Sequence, residues 1–131
     1  MINALKELKT QLKGELKLDE TTLILYSTDA SAYREKPLAV FIVEKDYYQD
    51  IKLLLDFCKA HNTFLIPRAA GTSLAGQVVG KGIVVDVSKN LNQILEVNPQ
   101  EKWVRVQAGV VLQQLNQYLK QYNLLFGPET S

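Results

Sequence analysis

One cysteine, one histidine, one methionine and one tryptophan are all that 131 residues contain of these types. Cys58 cannot close an internal disulfide, which suits a reducing compartment, and together with His61 it supplies too few ligands for a zinc centre. No metal site is expected. An excess of one charge is missing as well: 15 Lys+Arg stand against 14 Asp+Glu, a formal net charge of +1. No basic block is present to track a phosphate backbone, so nucleic acid is not an expected partner. The longest apolar runs, such as Leu38-Ala-Val-Phe-Ile-Val43 and Ile83-Val-Val85, fall far short of the ~20 residues of a membrane span. The N-terminus spaces its leucines among Lys6, Lys9, Lys13 and Lys17 and lacks the continuous apolar core of a signal peptide. The expected setting is the cytoplasm, at a membrane surface only through parts outside these residues.

What is present is enough for a core. The 47% hydrophobic and 22% charged content is ordinary for a folded domain, and a chain of this length buries roughly two-thirds of its unfolded surface. Ile2, Leu5, Leu8 and Leu12 recur at helical spacing ahead of Gly14, which predicts an N-terminal helix stopped by that glycine. Residues 21–33 read as strand or extended chain and then loop. Residues 38–43 read as a strand buried on both faces. Asp46 and Gln49 have capping-box spacing, opening a helix with Tyr47, Ile51, Leu54, Leu55 and Cys58 on one face and its end at His61-Asn62. Residues 64–66 and 83–87 are further strands, 93–97 and 104–107 a hairpin, 111–122 a last amphipathic helix, and Leu124-Leu-Phe126 the start of another strand. The predicted fold is α/β (α+β): a small, mostly parallel sheet with flanking helices plus a β-hairpin. After Gly127-Pro-Glu-Thr-Ser131 no element closes the sheet, so residues 1–131 are expected to be the first, truncated portion of a larger domain.

Chemistry concentrates in one segment. Pro67-Arg-Ala-Ala-Gly-Thr-Ser-Leu-Ala-Gly76 leaves the carboxyl end of a strand, where open α/β sheets place ligands. Small side chains let an anion approach backbone N–H groups, Thr72 and Ser73 add hydroxyls, and Arg68 adds a permanent positive charge. That combination suits a diphosphate. Two familiar phosphate loops are disfavoured. Gly71 and Gly76 have the outer spacing of a triphosphate P-loop, but Gln77-Val78 stand where Lys and Ser or Thr should follow. A dinucleotide fingerprint fails too, because the G-x-G start is missing and a strand, not a helix, comes next.

A phosphate loop between two strands remains. It is joined in order by Tyr26-Ser-Thr-Asp-Ala-Ser-Ala-Tyr33, Pro37-Leu-Ala-Val40, Val85-Asp-Val-Ser88, Ala108-Gly109 and Gly127-Pro-Glu-Thr-Ser131, which together span nearly the whole chain. With these motifs the sequence resembles the FAD-binding domain of the vanillyl-alcohol oxidase and p-cresol methylhydroxylase superfamily, especially its D-lactate dehydrogenase and glycolate oxidase branch. The resemblance implies the first subdomain of that fold, with Pro67, Arg68, Ala69, Ala70, Gly71, Thr72, Ser73, Gly76 and Gln77 around the FAD pyrophosphate. Pro128, Glu129, Thr130 and Ser131 would open a second segment on the flavin side. It also implies an FAD-dependent oxidoreductase acting on the CH–OH group of a 2-hydroxy acid such as D-lactate or glycolate, bound by a domain outside these residues. The electron acceptor is left open. Thr72 stands where relatives with covalent flavin carry a histidine, so noncovalent FAD is implied. Ala69 and Ala70 replace glycines common in the family. Since left-handed alanine costs on the order of 1 kcal/mol, either both have negative φ or the loop differs locally.

A plainer role stands beside each sharper one. Arg68 either neutralises a diphosphate or pairs with a carboxylate on the rim, and Thr72 and Ser73 either meet the cofactor or bond their own loop. Asp86 reads as an acceptor at a turn rather than a base, Cys58 as core, His61 as a cation at a helix C-terminus and Trp103 as packing across the hairpin. No catalytic residue is assigned within the chain. The competing functions are a noncatalytic module for a nucleotide or other phosphorylated ligand, and an interaction domain without a ligand.

Overall fold

A computed structural model describes residues 1–128. In chain order the elements are α1 (Ile2–Lys9), β1 (Glu15–Lys17), α2 (Glu20–Leu25), β2 (Ala39–Ile42), α3 (Tyr48–His61), β3 (Leu65–Arg68), β4 (Ile83–Asp86), β5 (Ile94–Asn98), β6 (Trp103–Val106), α4 (Leu112–Leu119) and a 3-10 turn over Lys120–Tyr122. Four strands form the main sheet in the order β1-β2-β4-β3, and β5 and β6 form a separate antiparallel hairpin. β2, β4 and β3 are mutually parallel, while β1 runs antiparallel along the outer edge of β2.

Alternation along the strands assigns the two faces. Ala39, Phe41 and Val43 of the β2 segment, with Ile83 and Val85 of β4, pack with Leu5 and Leu8 of α1 and Leu54, Phe57 and Cys58 of α3. Val40, Ile42, Val84 and Ile66 point the other way, toward Leu23 of α2, with Tyr26 and Val78 packed against them. Every residue of β2 and of β4 is buried, as expected for central strands covered on both sides. The fold is thus the α/β arrangement that the sequence predicts, with α1 and α3 on one face and α2 plus part of the 69–82 loop on the other.

Local chemistry overrules the sequence expectation in several places. The N-terminal helix ends at Lys9, and Gly14 is needed for another reason: a Cβ there would lie 2.5 Å from the Phe41 ring and 2.7 Å from the Ile42 carbonyl. The segment beginning at Glu20 is a helix, not a strand, because Asp19 caps it by accepting from the Thr22 N–H at 2.9 Å and the Thr22 hydroxyl at 2.8 Å. The Asp46 capping box does not form. Asp46 accepts instead from Lys13 Nζ at 2.5 Å, and Tyr47 occupies the N-cap without a side-chain hydrogen bond. The structural role falls to Asp50, only 1% exposed, which accepts from the N–H groups of Lys13 (3.1 Å) and Gly14 (2.8 Å) and ties α3 to the turn before β1. Tyr47 and Leu55, expected on the buried face, are exposed, and Phe57 packs in the core.

Leu124-Leu-Phe126 forms no strand in the described residues. Asn116 of α4 supplies a substitute for a neighbouring strand: its Oδ1 accepts from the Phe126 N–H at 2.9 Å and its Nδ2 donates to the Phe126 carbonyl at 3.1 Å. The hairpin and last amphipathic helix agree with expectation. Trp103 is half-buried at the β5–β6 end, paired with Asn98, and its Nε1 donates to Glu101 at 2.9 Å. Cys58 is buried, and that burial pushes its thiol pKa up. His61 is exposed, its ring centroid 4.3 Å from that of Phe57.

Candidate functional site

Side-chain alternation builds the site. Ile66 and Arg68 lie two residues apart on β3, and Val84 and Asp86 on β4. Each polar residue therefore shares the α2 face with its apolar neighbour. The register places Arg68 directly beside Asp86. Helix α2 ends at Leu25, which delivers Tyr26 to the same corner.

There the three side chains interlock. The Tyr26 hydroxyl donates to Asp86 Oδ2 at 2.5 Å, while Asp86 Oδ1 accepts from the Ser88 N–H (2.8 Å) and hydroxyl (2.6 Å). Arg68 lies with its guanidinium carbon 5.1 Å from the Tyr26 ring centroid, within reach of a cation–π attraction. Its Nη1 donates to the Thr28 carbonyl at 2.8 Å and the Tyr26 carbonyl at 3.3 Å. Burial, followed by the hydrogen bond to Asp86, pushes the Tyr26 pKa up to about 12, so the phenol remains a donor at neutral pH. Asp86 thus acts as the hydrogen-bond acceptor expected at a turn, with a tyrosine as an unexpected third donor.

The loop begins two residues later than its sequence boundary suggests, since Pro67 and Arg68 are the last residues of β3. Pro67 is tolerated because β3 is an edge strand, where a missing N–H costs no ladder bond on the open side. Ala69 and Ala70 are exposed and have negative φ: among the described residues only Asn62, Lys102 and Asn123 are non-glycine positions with positive φ. The loop thus follows the first of the two alternatives for these alanines. Gly71 and Gly76 both have φ of +72°, a conformation that costs a glycine nothing. The N–H groups of Gly71, Thr72, Ser73 and Leu74 make no hydrogen bond among the described residues. Consecutive free N–H groups around a left-handed glycine form an anion-binding concavity.

The two hydroxyls separate here. Ser73 is taken up by its own loop, donating to Gln77 Oε1 and accepting from the N–H groups of Gln77 (3.1 Å) and Ala75 (3.4 Å). Thr72 is exposed, and its hydroxyl bonds nothing among the described residues. Arg68 forms no ion pair with a described carboxylate, so the rim pairing considered for it is not observed. Gln77 closes the loop.

A segment not marked as a site by its sequence carries the loop. Ala30 N–H donates to the Gly71 carbonyl at 3.1 Å, and a Cβ at Gly76 would lie 2.8 Å from the Tyr33 ring. Asp29 Oδ1 accepts from the Ser31 hydroxyl and N–H, and these bonds, aided by the nearby Val78 N–H and then by the Arg68 charge, hold the carboxyl below its usual pKa. Asp29 Oδ2 is buried without a hydrogen-bond partner among the described residues. The available signal was the cluster of turn-forming Ser, Asp and Ser residues framed by Tyr26 and Tyr33. Pro128 is exposed and makes no hydrogen bond to the loop. Glu129, Thr130 and Ser131 lie outside the described residues.

A family model described as an FAD binding domain matches residues 37–131. The chain belongs to the FAD-binding domain family. FAD is accordingly its cofactor, and the left-handed glycines and unpaired N–H groups of the 69–77 loop suit a diphosphate. This FAD-binding domain is 42% identical over 120 residues to a D-2-hydroxyglutarate dehydrogenase of Pseudomonas putida, covering 91% of this chain and 12% of that protein. It is 38% identical to the Escherichia coli protein of the same name, covering 100% and 13%. The chain therefore spans about one-eighth of the length of these relatives. Glycolate oxidase subunit GlcD of Bacillus subtilis is 29% identical across 96% of this chain and 27% of that protein. Among solved structures, an alkyldihydroxyacetonephosphate synthase superposes with a TM-score of 0.72 at 18% identity, over 92% of this chain and 25% of that one. P-cresol methylhydroxylase superposes at 0.68 and 16% identity, over 94% and 25%. The expected superfamily fold is thereby shown.

Proposed function

We propose that residues 1–131 are the diphosphate-binding first portion of the FAD domain of a flavin-dependent oxidoreductase acting on a 2-hydroxy acid. The observation that carries this reading is the run of unpaired N–H groups around left-handed Gly71, at the carboxyl end of a parallel strand in a chain of this family. Gly71, Thr72 and the backbone N–H groups through Leu74 would hold the diphosphate, with the Thr72 hydroxyl as an added donor. Ala69, Ala70 and Gly76 keep the approach free of side chains. Pro67, Arg68, Ser73 and Gln77 shape the loop, and residues 128–131 would begin the flavin-side segment. FAD, when bound, accepts the two electrons released on oxidation of a CH–OH group. This chain contributes binding and orientation, and no catalytic acid or base. Flavin attachment is noncovalent in this reading.

The relatives' names supply the substrate class: D-2-hydroxyglutarate, D-lactate and glycolate are all 2-hydroxy acids. D-2-hydroxyglutarate leads, because the relatives named for it align with the most of this chain at the higher identities. No helix of the described residues is long and apolar enough to cross a membrane, and the proposed setting is the cytoplasm. The test uses the whole protein that carries this chain. Its purified form should show flavin absorbance, and an artificial electron acceptor should be reduced on adding D-2-hydroxyglutarate faster than on adding D-lactate or glycolate. A colourless protein that takes up no FAD would overturn the reading in favour of a noncatalytic phosphate-ligand module.

A further inference from the structure

We propose that Tyr26 is a positioning residue for the diphosphate loop, its hydroxyl fixed on Asp86 and its ring lying against Arg68, so that Arg68 braces the Gly71 turn from behind instead of meeting the diphosphate itself. The inference rests on the FAD reading above and adds a residue and a role to it.

The contacts around Asp86, Tyr26 and Arg68 form a closed circuit. Asp86 is only 6% exposed, and a carboxylate buried that far needs its acceptors filled. Ser88 fills Oδ1 twice and leaves Oδ2 for the Tyr26 hydroxyl at 2.5 Å. The phenol is thereby locked to the end of β4, and the position of its ring is set with it. Arg68 then rests on that ring and passes Nη1 to the carbonyls of Tyr26 and Thr28. Two residues beyond Thr28, the Ala30 N–H returns to the Gly71 carbonyl at 3.1 Å.

The guanidinium completes the circuit from inside. A Cβ placed on Gly71 would lie 2.6 Å from Arg68 Nη2 and 3.0 Å from its central carbon. The guanidinium edge therefore fills the space behind the Gly71 backbone, on the side where a side chain would project. A cation whose Nη1 is engaged by two carbonyls, whose face is on an aromatic ring and whose edge abuts the turn is committed to shaping that turn. Its charge still favours an anion through space. Contact with the anion falls to the N–H groups of residues 71–74.

The two roles of Arg68 predict different patterns of coupling. If Arg68 binds the diphosphate directly, removing the Tyr26 hydroxyl matters little. If it braces the turn, removing either partner releases the same structure, and their effects do not add. The experiment measures the FAD dissociation rate, by the return of flavin fluorescence, in the whole protein with Tyr26→Phe, Arg68→Met and both. The melting temperature of each FAD-stripped protein is measured alongside. Wild type retaining FAD tests the functional reading by itself; a wild type that retains none overturns that reading and this inference with it.

With FAD retained, Tyr26→Phe should raise the dissociation rate about tenfold, equivalent to about 1.4 kcal/mol. Arg68→Met should do the same, and the double variant should fall within about threefold of either single one. A residue that only supports the fold would lower the apoprotein melting temperature and leave the dissociation rate in place. Tyr26→Phe within twofold of wild type, or effects that multiply in the double variant, would overturn the inference while the FAD reading stood. Should Tyr26→Phe not fold, Asp86→Ala removes the acceptor of the same junction from the other side and carries the same expectation.

Discussion

Gly71 and Gly76 share a φ of +72° but differ in what lies beside them, so replacing each with alanine separates backbone strain from loss of the brace. Left-handed alanine costs on the order of 1 kcal/mol at either position. At Gly76 the new methyl meets Tyr33 at Cδ2 (2.8 Å) and at Cβ (3.1 Å); Tyr33 is 64% exposed, so its ring can swing outward and its Cβ has to give by only a few tenths of an ångström. Little is added to the strain. At Gly71 the methyl meets the Arg68 guanidinium at 2.6 Å, which has to leave the Thr28 carbonyl. Losing a partly exposed, charged hydrogen bond adds about 1.5 kcal/mol. Residues 69–77 lie at the surface, so the unliganded loop can relax, and the cost should emerge mainly as lost FAD affinity. Converted at 1.4 kcal/mol per factor of about ten, FAD binding weakens about fivefold for Gly76→Ala and roughly sixtyfold for Gly71→Ala. Titration of FAD into the stripped whole protein, followed by flavin fluorescence, measures both. Equal losses at the two glycines, or a larger loss at Gly76, would refute the account.

Three further outcomes follow from other parts of the fold. Asp50→Ala leaves the Lys13 and Gly14 N–H groups without their acceptor and should cost about 2–4 kcal/mol in urea unfolding; a loss below about 1 kcal/mol would place the anchor of the turn before β1 elsewhere. Folding raises the Tyr26 pKa from 10.0 to about 12, which means that the fold favours the protonated phenol. Its contribution is intact below pH 10 and is lost as pH rises through about 12. Tyr26→Phe should remove that part of the alkaline decline in the urea midpoint, and an unchanged decline would assign it to another group. Asn116→Ala removes both partners of the Phe126 backbone and should speed amide exchange there about tenfold. Unchanged exchange would mean that packing alone holds residues 124–128.

Strands β2 and β4, the long helix α3, the hairpin and the loop of small residues after β3 were legible because each rests on a local signal: an unbroken apolar run, a helical period, a turn or a stretch of small residues. Helix α2 was not. Thr21, Thr22 and an apolar run favour a strand by propensity, and the Asp19 cap decides the matter through a hydrogen bond that composition does not display. Strand β1 is only three residues long and exists because β2 offers an edge. The site divides in the same way. The left-handed φ of Gly71 and Gly76 and the exposure of Thr72 were within reach of residue type, since each follows from small size or a polar side chain. The Tyr26–Asp86 junction joins residues sixty positions apart, and the engagement of Arg68 by carbonyls depends on the path of a neighbouring loop. Neither has a signature in spacing.

Parallel neighbours cannot be joined by a tight turn, because the chain has to travel back along the strand it has just left; such returns ordinarily take a dozen or more residues and include a helix. β3 and β4 are neighbours in register, and residues 69–82 make the return without one. For a four-residue strand the distance is ~13 Å at ~3.3 Å per residue. The outgoing stretch presents the unpaired N–H groups of residues 71–74, and Val78 on the way back packs against the sheet. Length and chemistry are therefore under separate control. None of residues 69–77 belongs to the apolar clusters packed on the sheet, and lengthening is cheap, about 0.6 kcal/mol for each doubling of a flexible loop. The ~13 Å return itself needs only about four extended residues, so residues 69–82 hold far more chain than the crossing requires, and it is this surplus that folds into the turn around Gly71.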